Sequence, residues 1–158
     1  MKILFCSLFV VLSAGLIQAA DPEDLNCDFE GGMDRWRGDG RLTTDESGNR
    51  VCVLKKTNDR KKEIAHKIEL PGAVSFEIHY RVRAMPGSEN VVLRRSVRNP
   101  RGAGFSGAEL KPDGKWVSQK FNAKGEEGQR ESDRIIAITF HEGEGEIQID
   151  DIKVVVKK

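Results

Sequence analysis

Aromatic residues are scarce in this chain of 158 residues, at 6%, and histidine and cysteine are rarer still, with three of each. The histidines, His66, His79 and His141, each sit inside a strand-like pattern. Three scattered histidines make neither a zinc cage nor a nucleophile-base-acid triad, and no serine or cysteine has the setting of an activated nucleophile. The sequence therefore reads as a non-enzyme. The formal net charge is only +1, which supplies no global field for nucleic acid or an anionic membrane. After residue 20 no apolar run approaches the roughly 20 residues that span a bilayer as a helix. No segment of helical period is long enough to compete with the strand patterns, and no internal repeat is evident.

What is present begins with a leader. Met1-Lys2, the apolar stretch Ile3 to Leu12, then Ser13-Ala14-Gly15 and Ala19-Ala20 have the charged start, short apolar core and small-residue exit of a secretory signal peptide. Residues 1–20 are thus expected to be removed and 21–158 to form one domain, secreted or periplasmic, of ordinary single-core size. Lys2 is the leader's one charged residue, so the mature chain is formally neutral. Only Cys27 and Cys52 survive processing, and an even pair in an exported chain reads as a disulfide, with two buried free thiols as the alternative.

Short strand patterns separated by turn residues fill the rest. Val74, Phe76, Ile78, Tyr80 and Val82 alternate with Ser75, Glu77, His79, Arg81 and Arg83, which is the period of a half-buried strand. Met85-Pro86-Gly87-Ser88 turns this segment into Glu89 to Arg98, read as the second arm of a hairpin. Further strands are expected at Leu25–Glu30, Arg41–Thr44, Val51–Lys56, Lys62–Leu70, Phe105–Leu110, Lys115–Asn122, Arg134–His141 and Glu146–Val156. Roughly ten short strands at regular spacing predict an all-β, two-sheet antiparallel sandwich. Gly102-Ala103-Gly104-Phe105-Ser106-Gly107 matches a dinucleotide-binding fingerprint in letters only, because it leads into a strand and not a helix.

Two constellations of side chains point to ligands. Glu30 near the start and Asp150-Asp151 near the end are carboxylates that a sandwich joining its first and last strands would bring together as a cation seam; exposed turn carboxylates are the alternative. In the hairpin, His79, Arg81, Arg83, Arg94 and Arg98 are expected on adjacent strands of one sheet face. Guanidinium groups there could grip carboxylate or sulfate groups bidentately, the alternative being a solvated face with Glu77 and Glu89 mixed in. Trp36, between Arg35 and Arg37, is the best exposed aromatic candidate.

The order Asn26-Cys27-Asp28-Phe29-Glu30, then Trp36, Gly48 ahead of Val51 to Leu54, Leu110-Lys111-Pro112-Asp113-Gly114-Lys115-Trp116 and Ile147-Gln148-Ile149-Asp150-Asp151-Ile152 resembles carbohydrate-binding modules with a galactose-binding-like jelly roll. The resemblance spans almost the whole mature chain. It implies a two-sheet jelly roll, a polysaccharide or other extracellular glycan as partner, and a structural calcium held by Glu30 and by Asp150 or Asp151. The arginines in place of stacking aromatics make an anionic glycan the expected ligand. A structural or protein-interaction jelly roll without a sugar site is the competing expectation.

Overall fold

The computed structural model describes residues 26–70, 75–99, 102–124 and 132–157. The expected leader, residues 1–20, lies outside them. Every regular element among the described residues is a β-strand: β1 (Arg37–Gly38), β2 (Arg41–Thr44), β3 (Arg50–Lys56), β4 (Lys62–Leu70), β5 (Ser75–Ala84), β6 (Glu89–Asn99), β7 (Gly102–Glu109), β8 (Val117–Lys124) and β9 (Ser132–Lys157). All pairings are antiparallel.

β9 organises the sandwich. Its first part pairs with β4 on one side and β6 on the other, giving a sheet in the order β1-β4-β9-β6-β7. Its last part pairs with β3 and β5, giving a second sheet in the order β2-β3-β9-β5-β8. The crossing occurs at Gly143-Glu144-Gly145. Both glycines have positive φ, 86° and 115°, and a Cβ on Gly143 would lie 2.2 Å from the Glu89 carbonyl oxygen. Glycine is needed there twice over, for the backbone region and for the close approach of β6. What the sequence presents as two strands, Arg134–His141 and Glu146–Val156, is one bent strand.

The core lies between the sheets. Ile64, Leu93, Ile136, Ile138 and Phe140 of the first sheet meet Leu54, Ile78, Tyr80, Val82, Ile147 and Ile149 of the second, all almost fully buried. Burial of these side chains is the main stabilising term. The chain start closes one end: Cys27 bridges to Ile152 through reciprocal backbone hydrogen bonds of 2.9 Å, so the first and last segments do lie side by side.

One expected pairing is not formed. β5 and β6 make no ladder with one another; each pairs with a different part of β9. Met85–Ser88 is therefore a crossover between the sheets and not a hairpin turn.

Candidate functional site

That crossover separates the predicted arginine cluster. Directly paired residues share a face of a sheet, and the core-facing members of β5 are Ile78, Tyr80, Val82 and Ala84. His79, Arg81 and Arg83 consequently project outward from the second sheet, whereas Arg94 and Arg98, which alternate with core-facing Leu93 and Val97, project outward from the first. The two sets occupy opposite outer faces of the sandwich.

On the second sheet the arginines are occupied within the fold. Arg81 Nη2 donates to Asp150 Oδ2 at 2.6 Å, and its Nε lies 2.7 Å from Asp151 Oδ2. Arg83 donates through Nε and Nη2 to Gln148 Oε1 at 2.9 and 2.7 Å and stands 3.6 Å from Asp45. Trp116 covers both, with the guanidinium carbons of Arg81 and Arg83 at 5.1 and 4.6 Å from its ring centroid. His79 Nε2 pairs with Glu77 at 3.1 Å. Burial raises the Asp150 carboxyl above the usual range, opposed by the Asp151 amide and by Arg81.

These contacts also decide the fit of a calcium ion. Both aspartates are taken up by Arg81, and Asp150 Oδ1 accepts the Asp151 N–H at 2.8 Å. Glu30 is engaged with the backbone, one oxygen of its carboxylate accepting the Arg50 N–H at 2.8 Å. Among the described residues no three histidine, cysteine or acidic side chains converge. Calcium takes six to eight oxygen ligands, and this donor set does not fit that requirement.

The expected disulfide is likewise not formed: Cys27 and Cys52 are buried free thiols. Their partners on β9 explain why. Cys27 stands opposite Ile152 and Cys52 opposite Ile149, three residues or about 10 Å apart along the strand, beyond the roughly 7 Å between Cα atoms that a disulfide can bridge. Burial pushes both thiols up to about 12. Trp36 is corrected too: it is 1% exposed and packs edge-to-face on His66, with centroids 5.8 Å apart, so it offers no ring to a ligand.

The outer face of the first sheet has a different character. Register places Ala65, Ala137, Ser96 and Phe105 in one row across β4, β9, β6 and β7, with Arg37 of β1 opposite Ala65. The next row is Glu63, Thr139, Arg94 and Gly107, and on the other side run Lys67, Ile135 and Arg98. Ala137, Ser96 and Thr139 are buried although they point away from the core, because longer side chains rise around them. The result is a trough about 19 Å across, five strands at roughly 4.8 Å spacing.

Its walls carry the chemistry. Phe105 is 60% exposed, and the Arg94 guanidinium lies 5.2 Å from its ring centroid. Arg98 Nη2 donates to Glu63 Oε1 at 2.5 Å, and Thr139 Oγ1 donates to Glu63 Oε2 at 3.0 Å. His141 follows Thr139 on β9; burial, then Arg94 and Lys61, lower its pKa below the usual 6.5. Glu63 is the one glutamate within these three rows; Glu142 and Glu109 follow in the next row, opposite Val92, with Glu142 Oε1 3.6 Å from His141 Nε2. The sequence reading placed Arg94 and Arg98 correctly on an outer face but missed Phe105, whose only signal is an aromatic among glycines and small residues, without an apolar alternation that would bury it.

The fold so built is a jelly-roll β-sandwich. Comparison with family models and with curated proteins yields no match. Among solved structures, the chain is similar to the CBM22-1 xylan-binding domain from Paenibacillus barcinonensis Xyn10C, with a TM-score of 0.66, 16% identity, and 85% of this chain and 94% of that one covered. It is similar to the C-terminal family 22 carbohydrate-binding module of Clostridium thermocellum Xyn10B, with a TM-score of 0.65, 12% identity, and coverage of 88% and 96%. It also resembles TmCBM61, solved in complex with β-1,4-galactotriose, with a TM-score of 0.61, 16% identity, and coverage of 82% and 94%. The chain therefore has the fold of these carbohydrate-binding modules.

Proposed function

We propose that this is an exported, non-catalytic carbohydrate-binding protein that holds an acidic glycan along the outer face of the β1-β4-β9-β6-β7 sheet. The observation that carries the reading is the Arg94–Phe105 pair beside the small-residue floor: an exposed ring and an arginine with no carboxylate partner among the described residues, at the rim of a shallow trough. A pyranose ring can lie on the floor of Ala65, Ala137 and Ser96 with an apolar face against Phe105. A uronate or sulfate on the same chain can meet the guanidinium of Arg94, and Arg98 and Lys67 extend the positive side of the trough. The likeness to xylan- and galactan-type ligand binders supports a glycan in general. The acidic preference rests on the arginines, and export rests on the leader-like residues 1–20.

The test is affinity electrophoresis and calorimetry with polygalacturonate, a sulfated glycan, xylan and galactan, using wild type, Phe105→Ala and Arg94→Ala. Each substitution should weaken binding to the acidic polymers about tenfold, corresponding to about 1.4 kcal/mol. One observation favours the competing reading of a structural or interaction domain: Phe105 is the one aromatic among the described residues that stands as an exposed large hydrophobic. Absence of binding to all four polymers would select that reading.

A further inference from the structure

Between β1 and β2 the chain turns a corner at Gly38-Asp39-Gly40, passing from the first sheet to the second. Neither glycine has room for a side chain. A Cβ on Gly38 would run into the Glu63 carbonyl, and one on Gly40 would lie 2.6 Å from both Cys52 Sγ and Ile64 Cγ2. Asp39 fastens the corner to β4. Its N–H donates to the Glu63 carbonyl at 2.8 Å, its Oδ2 accepts the Glu63 N–H at 3.1 Å, and its Oδ1 lies 3.5 Å from Lys62 Nζ. Both carboxylate oxygens are thus committed.

Beside the corner, β3 runs on past β2, whose pairing ends with Arg41 opposite Val53. A cleft of about 540 Å³ opens there, lined by the corner, by Arg41, Lys55 and Lys62, and by Thr57 and Asn58 of the loop after β3. Arg41 and Lys55 are exposed, and neither has a carboxylate partner among the described residues; Lys55 stands opposite Glu146 on β9 without forming an ion pair. Asn58 Oδ1 accepts the Arg60 N–H at 3.0 Å, which leaves its amide N–H groups as donors. Val53 is the one apolar side chain in the lining. Three cations less one carboxylate leave the cleft an excess of two positive charges.

We propose that this cleft binds a phosphate or sulfate group, with Arg41 and Lys55 as its principal cations and Lys62, Thr57 and Asn58 completing the donors. Such a group offers several acceptor oxygens to guanidinium and ammonium, and these charge-assisted bonds are the strong ones. The site is distinct from the glycan trough: Arg41 and Lys55 alternate with core-packed Leu42 and Leu54 and so stand on the outer side of the second sheet. Calorimetric titration of the whole protein with inorganic phosphate, inorganic sulfate and glucose 6-sulfate, each against sodium chloride at equal ionic strength, tests it. The wild type should bind saturably, at one site per chain. Lys55→Gln and Arg41→Gln should each weaken binding about tenfold, the size expected for one hydrogen bond to a charged group. Lys115→Gln removes an exposed lysine outside the cleft and should leave binding unchanged. Glucose 6-sulfate binding at least as tightly as sulfate supports a group borne on a sugar, and saturable binding of the inorganic ions alone supports the free ion. No saturable binding of any of the three, or a loss in Lys55→Gln and Arg41→Gln no larger than in Lys115→Gln, overturns the proposal.

Discussion

Arg81 shows how one side chain can settle what a set of carboxylates is for. With Asp150 almost buried and Asp151 beside it, the terminal seam needs a positive charge, and Arg81 of β5 supplies it from within the chain. Arg81→Ala should cost about 2–3 kcal/mol, below the roughly 3–5 kcal/mol for breaking a fully buried pair because the arginine itself is partly exposed. The same protein should melt at one temperature with calcium or with a chelator; a clear rise with calcium in the wild type would contradict the Arg81 assignment. His141 gives a pH signature. Its folded pKa lies below the unfolded value, so the native state binds fewer protons and stability is lost as pH falls through the mid-6 range. Unfolding measured from about pH 8 to about pH 5 should show that loss, and His141→Asn should flatten it. An unchanged slope in the variant would assign the dependence to other groups.

At the scale of elements, the strands of this chain are legible and their partners are not. The alternation from Val74 to Val82 identifies β5 because a half-buried strand must present apolar side chains at every second position, and β4 and β6 follow from the same rule. Met85-Pro86-Gly87-Ser88 carries ordinary turn chemistry, however, and turn chemistry does not distinguish a hairpin within one sheet from a crossover between two. That ambiguity is why Arg81 and Arg94 were expected on one face and stand on opposite ones. The sequence presents Arg134–His141 and Glu146–Val156 as two strands for a related reason: the glycines of Gly143-Glu144-Gly145 suit both a chain reversal and a bend that leaves pairing intact. The structure makes the bend a requirement. Gly143→Ala would drive a methyl group into the Glu89 carbonyl at a positive φ and should destabilise the protein by about 2 kcal/mol or more, as chemical denaturation would measure. A loss of only a few tenths would mean that β9 does not need to cross there.

For the whole molecule, the all-β sandwich could be read from the spacing of short strands and turns, and the meeting of its ends from Asn26–Glu30 and Ile149–Ile152. The ligand face could not, because it is made by register: Ala65, Ala137, Ser96 and Phe105 come from four strands, and nothing in their own neighbourhoods marks them as a row. Trp36 had the stronger local signal and is core, whereas Phe105, in a weak context, is exposed. The trough and the opposite face differ in one testable respect: Arg94 has no carboxylate partner among the described residues, whereas Arg81 and Arg83 are held by Asp150, Asp151, Gln148 and Asp45. Binding of polygalacturonate should therefore be measured at low and physiological salt for wild type, the double variant Phe105→Ala/Arg94→Ala and Arg81→Ala. Binding along the trough predicts that the double variant loses affinity by more than about tenfold, that Arg81→Ala retains it wherever the protein is folded, and that wild-type affinity falls with salt because the screening length is only about 8 Å at physiological ionic strength. Undiminished binding by the double variant, with loss in folded Arg81→Ala, would place the ligand on the opposite face and contradict the assignment.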